Sequence, residues 1–282
     1  MTARWESTED VPHIKTHGLG YLRAFLRGVP LILMIAVCLI LLLLVRLVER
    51  PIFGLGRPWT PHITQFVCRN AFRILGISYR TEGAPLVGPG AVVANHSSWL
   101  DIFALNARKR IYFVSKAEVA GWPGIGWLAR ATGTVFIERD RRKAADHIKV
   151  FRDRLAAGHK LLFFPEGTST DGLRVLGFKP TLFAAFLDPQ LRGTLQIQAV
   201  SVIYLPPAGA DPRLYGWWGD MDLAPHLLST LAASPQGQVV VKYHPPIAVA
   251  DFADRKALAR RLEDQVRSGL ADHGRLQAGE GG

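Results

Sequence analysis

The longest apolar segment of the chain covers residues 29–45 and contains no charged side chain. As a helix it would extend about 26 Å, slightly less than the roughly 30 Å hydrocarbon core of a bilayer. Arg46, Glu49 and Arg50 follow it, where a signal peptide would carry small residues before its cleavage site. The segment also lacks the polar face of a helix that covers a globular core. This pattern predicts a membrane anchor, which either spans the bilayer or enters and returns.

The segment after the anchor contains several residues that break helices. Residues 51–61 (PIFGLGRPWTP) combine proline and glycine, which predicts an irregular link. Residues 63–75 then place apolar side chains at helical spacing, with Arg69 and Arg73 among the polar positions. This second pattern predicts an amphipathic helix, which either lies at the membrane surface or covers a sheet.

From residue 77 onward, short apolar segments alternate with longer amphipathic ones. The short segments predict strands at 91–94, 111–115, 134–137, 160–164, 197–203 and 239–243, and the longer ones predict helices at 98–107, 122–131, 142–157, 180–187 and 254–271. Such alternation is typical of an α/β domain, here a mixed sheet covered by helices. The chain is thus divided into a tail (1–28), a membrane anchor with its link (29–62) and one α/β domain (63–282).

Composition adds an excess of positive charge, because 34 Lys and Arg residues oppose 23 Asp and Glu residues and give a formal charge of +11. That excess favours an anionic partner, which is a nucleic acid, an anionic membrane or an anionic substrate. Cys38 lies in the apolar segment and Cys68 in a predicted helix, so a disulfide framework is not expected. The sequence has no cysteine and histidine spacing typical of zinc ligands, and no metal site is predicted.

The first candidate for chemistry is His96, which lies between a predicted strand and a predicted helix. Imidazole titrates near neutral pH, so His96 is a candidate general base, and Asp101 is a candidate partner that orients the imidazole. The two side chains can meet only if His96 precedes the helix, because five residues of ideal helix separate them by about 140°. Ser98 and Asp101 also fit a capping box, so the alternative role of Asp101 is a helix cap alone.

Two further strand ends carry polar residues. Residues 164–168 (FPEGT) follow an apolar strand, and Glu166 there is a candidate for binding a hydroxyl group, with an ordinary turn as the alternative. Residues 133–139 (GTVFIER) form a predicted strand that ends in Arg139. A guanidinium group at that position suits a phosphate or a carboxylate, which it can bind through two hydrogen bonds.

Together these segments resemble the glycerolipid acyltransferase family, which contains the bacterial 1-acylglycerol-3-phosphate acyltransferases. His96 and Asp101 match its N-H-x4-D block, residues 133–139 match its G-x-x-x-I-x-R block, and residues 164–168 match its F-P-E-G-T block. Residues 200–203 (VSVI) resemble its fourth, weakly specified apolar block. The blocks occur in the order of the family, and the resemblance covers about residues 65–245.

The resemblance implies a membrane-bound enzyme of phospholipid biosynthesis, with its catalytic domain on the cytoplasmic face. It would move a fatty acyl chain from acyl-CoA or acyl carrier protein to a lysolipid hydroxyl, without a metal or prosthetic group. His96 would remove the hydroxyl proton, Asp101 would orient His96, and backbone amides of the Gly133 or Gly167 turns would hold the oxyanion. The residues implied in binding the acceptor are Gly133, Arg139, Glu166, Gly167 and Thr168.

One position departs from the family pattern and bears on the acceptor. Many lysophosphatidate enzymes carry Arg directly after F-P-E-G-T, where this chain has Ser169. Residues 168–172 (TSTDG) resemble a branch that acylates lyso-ornithine lipid, whose head group is an amino acid. Arg174 or Lys179 would instead supply the missing charge for a phosphate. We therefore predict 1-acyl-sn-glycerol-3-phosphate as the acceptor, with lyso-ornithine lipid as the alternative.

A function of a different class is that of a non-catalytic protein which binds a membrane or a nucleic acid through its basic surface. That hypothesis leaves the three polar blocks unexplained, and base-reading or RNP-type motifs are absent, so no nucleic acid partner is predicted. A G-x-S-x-G nucleophile elbow and a complete P-loop are absent as well. Trp217 and Trp218 are expected either at the membrane interface or in ordinary packing.

Overall fold

The computed structural model describes residue 5, residues 16–138 and residues 144–277. The helices are α1 (Leu19–Phe53), α2 (Thr60–Leu75), α3 (Asp101–Arg108), α4 (Ile125–Thr132), α5 (Ala144–Ala156), α6 (Pro189–Arg192), α7 (Leu223–Ala232) and α8 (Arg255–Ala271). The strands are β1 (Ser78–Glu82), β2 (Gly90–Ala94), β3 (Tyr112–Lys116), β4 (Val135–Ile137), β5 (Lys160–Phe163), β6 (Gln196–Leu205), β7 (Gln238–Tyr243) and β8 (Ile247–Ala248). Short 3₁₀ helices cover Ala117–Gly121, Pro180–Leu187 and Val249–Asp251.

The strands form one mixed sheet in the order β1-β7-β6-β2-β5-β3-β4, with β8 paired to β6. Strands β6, β2, β5, β3 and β4 run parallel to one another, whereas β7 is antiparallel to β6 and β1 follows the direction of β7. Every residue of the central strand β2 is buried, as expected for a parallel strand that is covered on both faces. The segments after β2 and β5 therefore leave the sheet at the same edge.

Side chains of β2 alternate between two hydrophobic cores on opposite faces of the sheet. Val92 and Ala94 join the core that lies under α1, α2, α3 and α7. Ala91 and Val93 join the core that lies under α5, α8 and the 3₁₀ helix Pro180–Leu187. This arrangement confirms the predicted α/β class and the mixed sheet covered by helices.

The apolar helix α1 is longer at both ends than the predicted anchor. It begins ten residues before residue 29, and it continues through Pro51, which removes one amide hydrogen bond, until Gly54 ends it with a φ of 56°. The prediction of an irregular link from residue 51 was therefore wrong for its first three residues. The helix is long and apolar enough to cross a membrane. The division of the chain at residues 28 and 62 stays a prediction.

Polar side chains hold both ends of α1 against the α/β domain. Near its start, Arg27 donates to the carbonyl oxygens of Leu231 (2.9 Å) and Ala233 (2.8 Å), which satisfies the end of α7. Near its end, the buried Glu49 carboxylate accepts from the amides of Trp59 (2.7 Å) and Thr60 (3.0 Å) and caps the start of α2. Helix α1 therefore lies along the surface of the domain, and its exposed apolar side chains face away from the domain.

Most predicted elements are confirmed within a few residues, and the differences have local causes. The predicted amphipathic helix is α2, whose face with Cys68, Phe72 and Leu75 covers the sheet. Residues 180–187 form a 3₁₀ helix rather than an α-helix. Strand β1 was not predicted, because its SYRTE sequence is polar and only partly buried. Helix α7 was not predicted either, since it is short and apolar.

Candidate active site

The segment between β2 and α3 forms the centre of the site, and Asn95 fixes its start. The buried Asn95 side chain donates to the carbonyl oxygen of Val202 (2.9 Å) and accepts from the amide of Val202 (2.8 Å). These two bonds imitate a backbone pair and hold the chain to β6 just beyond the last residue of β2. His96 therefore emerges from the carboxyl edge of the sheet at a defined point.

His96 and Asp101 contact each other directly. Nδ1 of His96 lies 2.8 Å from Oδ2 of Asp101. The contact forms because α3 begins at Asp101, so His96 precedes the helix and the chain bends between them. The imidazole ring stacks on Phe164 with ring centroids 4.1 Å apart and stays partly exposed. The structure thus meets the condition stated in the sequence analysis, that His96 must precede the helix if its side chain is to reach Asp101.

The Asp101 carboxylate is fully buried and accepts four hydrogen bonds. Its Oδ2 atom accepts from Nδ1 of His96 and from the amides of Ser97 (2.9 Å) and Ser98 (3.0 Å). Its Oδ1 atom accepts from the hydroxyl of Tyr204 at 2.8 Å. The two alternatives for Asp101 are therefore combined, since one carboxylate caps the turn before α3 and also holds the imidazole.

This arrangement determines which imidazole nitrogen is available to a substrate. A buried carboxylate that accepts from two amides and a hydroxyl requires a donor from His96, so we assign the proton of the neutral ring to Nδ1. The unprotonated Nε2 atom is then the nitrogen that can take a proton. A neutral imidazole held in this way by a carboxylate has the geometry of a general base.

Glu166, on the turn after β5, holds the backbone of His96. Its Oε1 atom accepts from the amide of His96 (2.8 Å), and its Oε2 atom accepts from the amide of Leu176 (2.7 Å). The residue is 1% exposed. Burial raises the pKa of Glu166 to about 8, and the two amide bonds offset part of that rise. The structure places the carboxylate inside the protein, and direct contact with an acceptor stays a prediction.

We expect Glu166→Gln to destabilise the fold although the two side chains have nearly the same shape. Both carboxylate oxygens accept from backbone amides, so one of these amides would face the NH₂ group of the glutamine side chain. A buried donor without an acceptor costs about 1–3 kcal/mol. Denaturant unfolding of the wild type and the purified variant at pH 5, where Glu166 still contributes most of its stability, measures this loss, and unchanged stability would contradict the assigned contacts.

The pH dependence of unfolding provides a second measurement on the same variant. The folded-state pKa of Glu166 lies above the ordinary value of 4.5, at about 8. The stability that this group contributes is therefore complete below about pH 4.5 and falls as the pH rises through 8. The glutamine variant does not titrate, so we expect it to lack this component of the fall between pH 5 and 8.

The residues after Glu166 wrap around the His96 loop. The amide of Thr170 donates to the carbonyl oxygen of His96 at 2.9 Å. A Cβ atom on Gly172, which has a φ of 81°, would lie 3.4 Å from Cβ of Ser97. Residues 168–172 are thus packed against the candidate catalytic loop. Thr168 lies partly exposed in this segment, and its predicted role in acceptor binding stays a prediction.

The amides of the two glycines considered for the oxyanion are each engaged within their own turn, and donation by other amides of these turns stays a prediction. The amide of Gly167 donates to the carbonyl oxygen of Phe164 (3.1 Å), and the amide of Gly133 donates to that of Arg130 (3.1 Å). Gly133 also ends α4 before β4 begins, so it lies at the amino edge of the parallel strands, opposite His96. A role of either glycine in binding the acceptor stays a prediction. Arg139 lies outside the described residues.

Sequence reasoning missed three contacts that support the site from distant parts of the chain. Tyr204 donates to Asp101 from β6, and the amide of Trp217 donates to the carbonyl oxygen of Ser97 at 2.8 Å. The indole of Trp99 donates to Nδ1 of His226 in α7 at 3.0 Å. A tyrosine inside an apolar strand was the available indication, because a buried phenol requires a partner. Trp218 is buried, so packing is the correct alternative for that residue.

Comparison with known proteins agrees with this geometry. The acyltransferase family model matches residues 77–204, which contain the His96 loop, Glu166 and Tyr204. A lyso-ornithine lipid O-acyltransferase of Rhodobacter capsulatus is 54% identical over 271 residues, which cover 96% of this chain and 98% of that protein. The chain belongs to the acyltransferase family. It is therefore an acyltransferase that acts on lysolipids.

Two further relatives concern the acceptor and the fold. A 1-acyl-sn-glycerol-3-phosphate acyltransferase of Neisseria gonorrhoeae is 34% identical over 188 residues, which cover 64% of this chain and 69% of that protein. The crystal structure of the 1-acyl-sn-glycerophosphate acyltransferase PlsC of Thermotoga maritima superposes with a TM-score of 0.58. That match has 21% identity and covers 90% of this acyltransferase and all of that chain, which confirms the shared fold.

Proposed function

We propose that this acyltransferase transfers a fatty acyl chain to the hydroxyl group of a lyso-ornithine lipid. The single observation that carries the proposal is the 54% identity over nearly the full length to an enzyme of that name. The relative named for 1-acyl-sn-glycerol-3-phosphate is less similar and covers less of the chain. The alternative acceptor from the sequence is therefore better supported than the lysophosphatidate that we predicted first.

The surroundings of Ser169 support the same acceptor. The expected arginine is absent there, and Arg174 and Lys179 are the two cations that were considered as its replacement. Nη2 of Arg174 lies 3.0 Å from Oδ2 of the buried Asp171, and Nε lies 3.2 Å from its Oδ1. This two-bond pair already neutralises the guanidinium group. A phosphate would have to compete with Asp171 for Arg174.

In the proposed mechanism, Nε2 of His96 takes the proton of the acceptor hydroxyl as its oxygen attacks the thioester carbonyl. The imidazolium that forms is stabilised by the buried Asp101, which keeps Nδ1 in place. When the tetrahedral intermediate collapses, the carbon–sulfur bond breaks and the imidazolium returns its proton to the sulfur, so coenzyme A or acyl carrier protein leaves as the free thiol. These groups carry out the transfer without a metal or prosthetic group. The donors are cytoplasmic, so the active site faces that side.

The test compares kcat/KM for lyso-ornithine lipid and for lysophosphatidate with the wild type and with Ser169→Arg. We expect the wild type to prefer lyso-ornithine lipid. Hydrogen bonds to a charged group contribute about 1.5–3 kcal/mol. At 1.4 kcal/mol per tenfold, the new arginine should shift the preference toward lysophosphatidate by roughly 10- to 150-fold.

Arg174→Ala is the matched control, because it removes a nearby cation that Asp171 already neutralises. We expect this variant to leave the ratio of the two kcat/KM values unchanged. If instead the wild type strongly prefers lysophosphatidate and either Arg174→Ala or Lys179→Ala abolishes that preference, the enzyme is a lysophosphatidate acyltransferase. If neither lipid is acylated, the acceptor belongs to another class of lysolipid.

A further inference from the structure

An exposed apolar surface lies on the α/β domain beside the long helix α1. Trp127 is 73% exposed, Trp122 is 44% exposed and Leu128 is 36% exposed. They belong to residues 119–129, which contain no charged side chain between Glu118 and Arg130. We name Trp122, Trp127 and Leu128 the tryptophan surface. Contiguous exposed apolar side chains of this kind mark sites of interaction.

The local fold holds these side chains outward. Gly126, the second residue of α4, is buried, and a Cβ atom there would collide with the carbonyl oxygen of Ala120. Helix α4 therefore packs through its glycine against the 3₁₀ helix Ala117–Gly121, and Trp127 points away from that contact. Nη2 of Arg130 also donates to the carbonyl oxygen of Ala120 at 2.6 Å. The exposure of the tryptophan surface thus results from close packing behind it.

The tryptophan surface lies next to the exposed apolar side of α1, which requires contact with lipid. Helix α4 contacts both α1 and α2, and Arg57 in the link after α1 donates to the carbonyl oxygen of Ala131 at 2.7 Å. The nearby end of α1 exposes large apolar side chains, among them Leu47 and Ile52. Because α1 is held against the domain and contacts α4, lipid that covers the exposed side of α1 also reaches α4.

We propose that the tryptophan surface is a second membrane contact, which sits in the head-group region of the same bilayer that covers α1. Tryptophan is enriched at this depth, where its ring is in an apolar layer and its N–H group meets water. Arg130, which is exposed on α4 itself, favours anionic lipid. This second contact fixes the orientation of the α/β domain relative to the bilayer, because anchoring by α1 alone would allow the whole protein to rotate about the axis of that helix.

The test places an environment-sensitive dye on single cysteines of the full chain. Cys38→Ala serves as the background, since burial raises the pKa of the remaining Cys68 to about 12 and leaves its thiol unreactive. Labelled Trp122→Cys and Trp127→Cys are compared with labelled Val87→Cys. Val87 is 88% exposed in the loop before β2, at the opposite edge of the sheet from His96. Each protein is reconstituted in vesicles of phosphatidylcholine and phosphatidylglycerol that carry a nitroxide in the head group.

We expect the labels at positions 122 and 127 to lose emission about twofold or more relative to position 87, because interfacial groups lie only about 5–10 Å deep. Aqueous iodide should quench the label at position 87 and spare the other two. Equal quenching by the nitroxide lipid at all three positions would overturn the proposal. Self-quenching at positions 122 and 127 that rises with protein density, without quenching by lipid, would overturn it in favour of a second copy. The measurement uses no substrate, so its outcome is independent of the acceptor.

Discussion

His96→Ala should lose about 10²- to 10⁴-fold in kcat, which is the usual effect of removing a general base. The structure shows why no neighbour replaces it. The imidazole is the partly exposed group of its cluster, whereas Asp101 and Glu166 are buried and engaged with backbone amides. We expect the variant to stay folded, because the structural bonds of this loop are made by the backbone of His96 and by Asp101.

A thioester assay that follows release of the free thiol, with lysolipid as acceptor, measures this loss. His62→Ala is the matched control, since His62 is an exposed histidine on α2, and we expect it to keep wild-type turnover. Circular dichroism and thermal unfolding establish that both variants are folded. Turnover near the wild-type value in folded His96→Ala would rule out the proposed mechanism.

The second large effect is expected for Asp101→Asn. The two amides of Ser97 and Ser98 require an oxygen at the Oδ2 position, so the new amide oxygen should stay there and still accept from His96. The NH₂ group would then face Tyr204, whose hydroxyl can rotate and accept. The geometry is retained and the negative charge is lost. We expect a fall in kcat of roughly 10- to 150-fold, because a hydrogen bond to a charged group contributes about 1.5–3 kcal/mol.

Asp101→Ala separates the catalytic role of this residue from its structural role. It removes all four bonds and leaves the amides of Ser97 and Ser98 without an acceptor, at a cost of about 1–3 kcal/mol for each buried group. We expect both variants to lose activity and only the alanine variant to lose several kcal/mol in unfolding free energy. If Asp101→Asn kept wild-type turnover, Asp101 would be a cap and nothing more.

Tyr204→Phe is the matched control for the same carboxylate, because it removes one donor and keeps the charge. Without the Tyr204 hydroxyl, the carboxylate interacts more strongly with the imidazolium. We expect the acid limb of the pH–rate profile to move to higher pH, while Asp101→Asn moves it to lower pH. A positioning role for Tyr204 predicts these opposite directions, which a general loss of stability would not produce.

The chain-local features of the protein followed from the sequence alone. The apolar segment, the alternation of strands and helices and the pairing of His96 with Asp101 depend on residues that are close in the chain. Hydrophobic periodicity and the spacing of motif residues indicate such short-range contacts directly. The limits of α1 were less accurate, since its ends are fixed by contacts of Arg27 with the distant helix α7 and of Glu49 with the start of α2.

The tertiary structure alone decided how the candidate site is held together. Glu166 binds the amide of His96 across 70 residues, and Tyr204 binds Asp101 across 103 residues. Both contacts exist because β2 pairs in parallel with β5 on one side and β6 on the other, which brings three separate strand ends to one edge. The motif containing Glu166 predicted a side chain that binds a ligand, whereas in the structure this side chain is buried and binds backbone amides. No spacing in the sequence encodes which strands are neighbours, because neighbours are selected by the packing of both sheet faces.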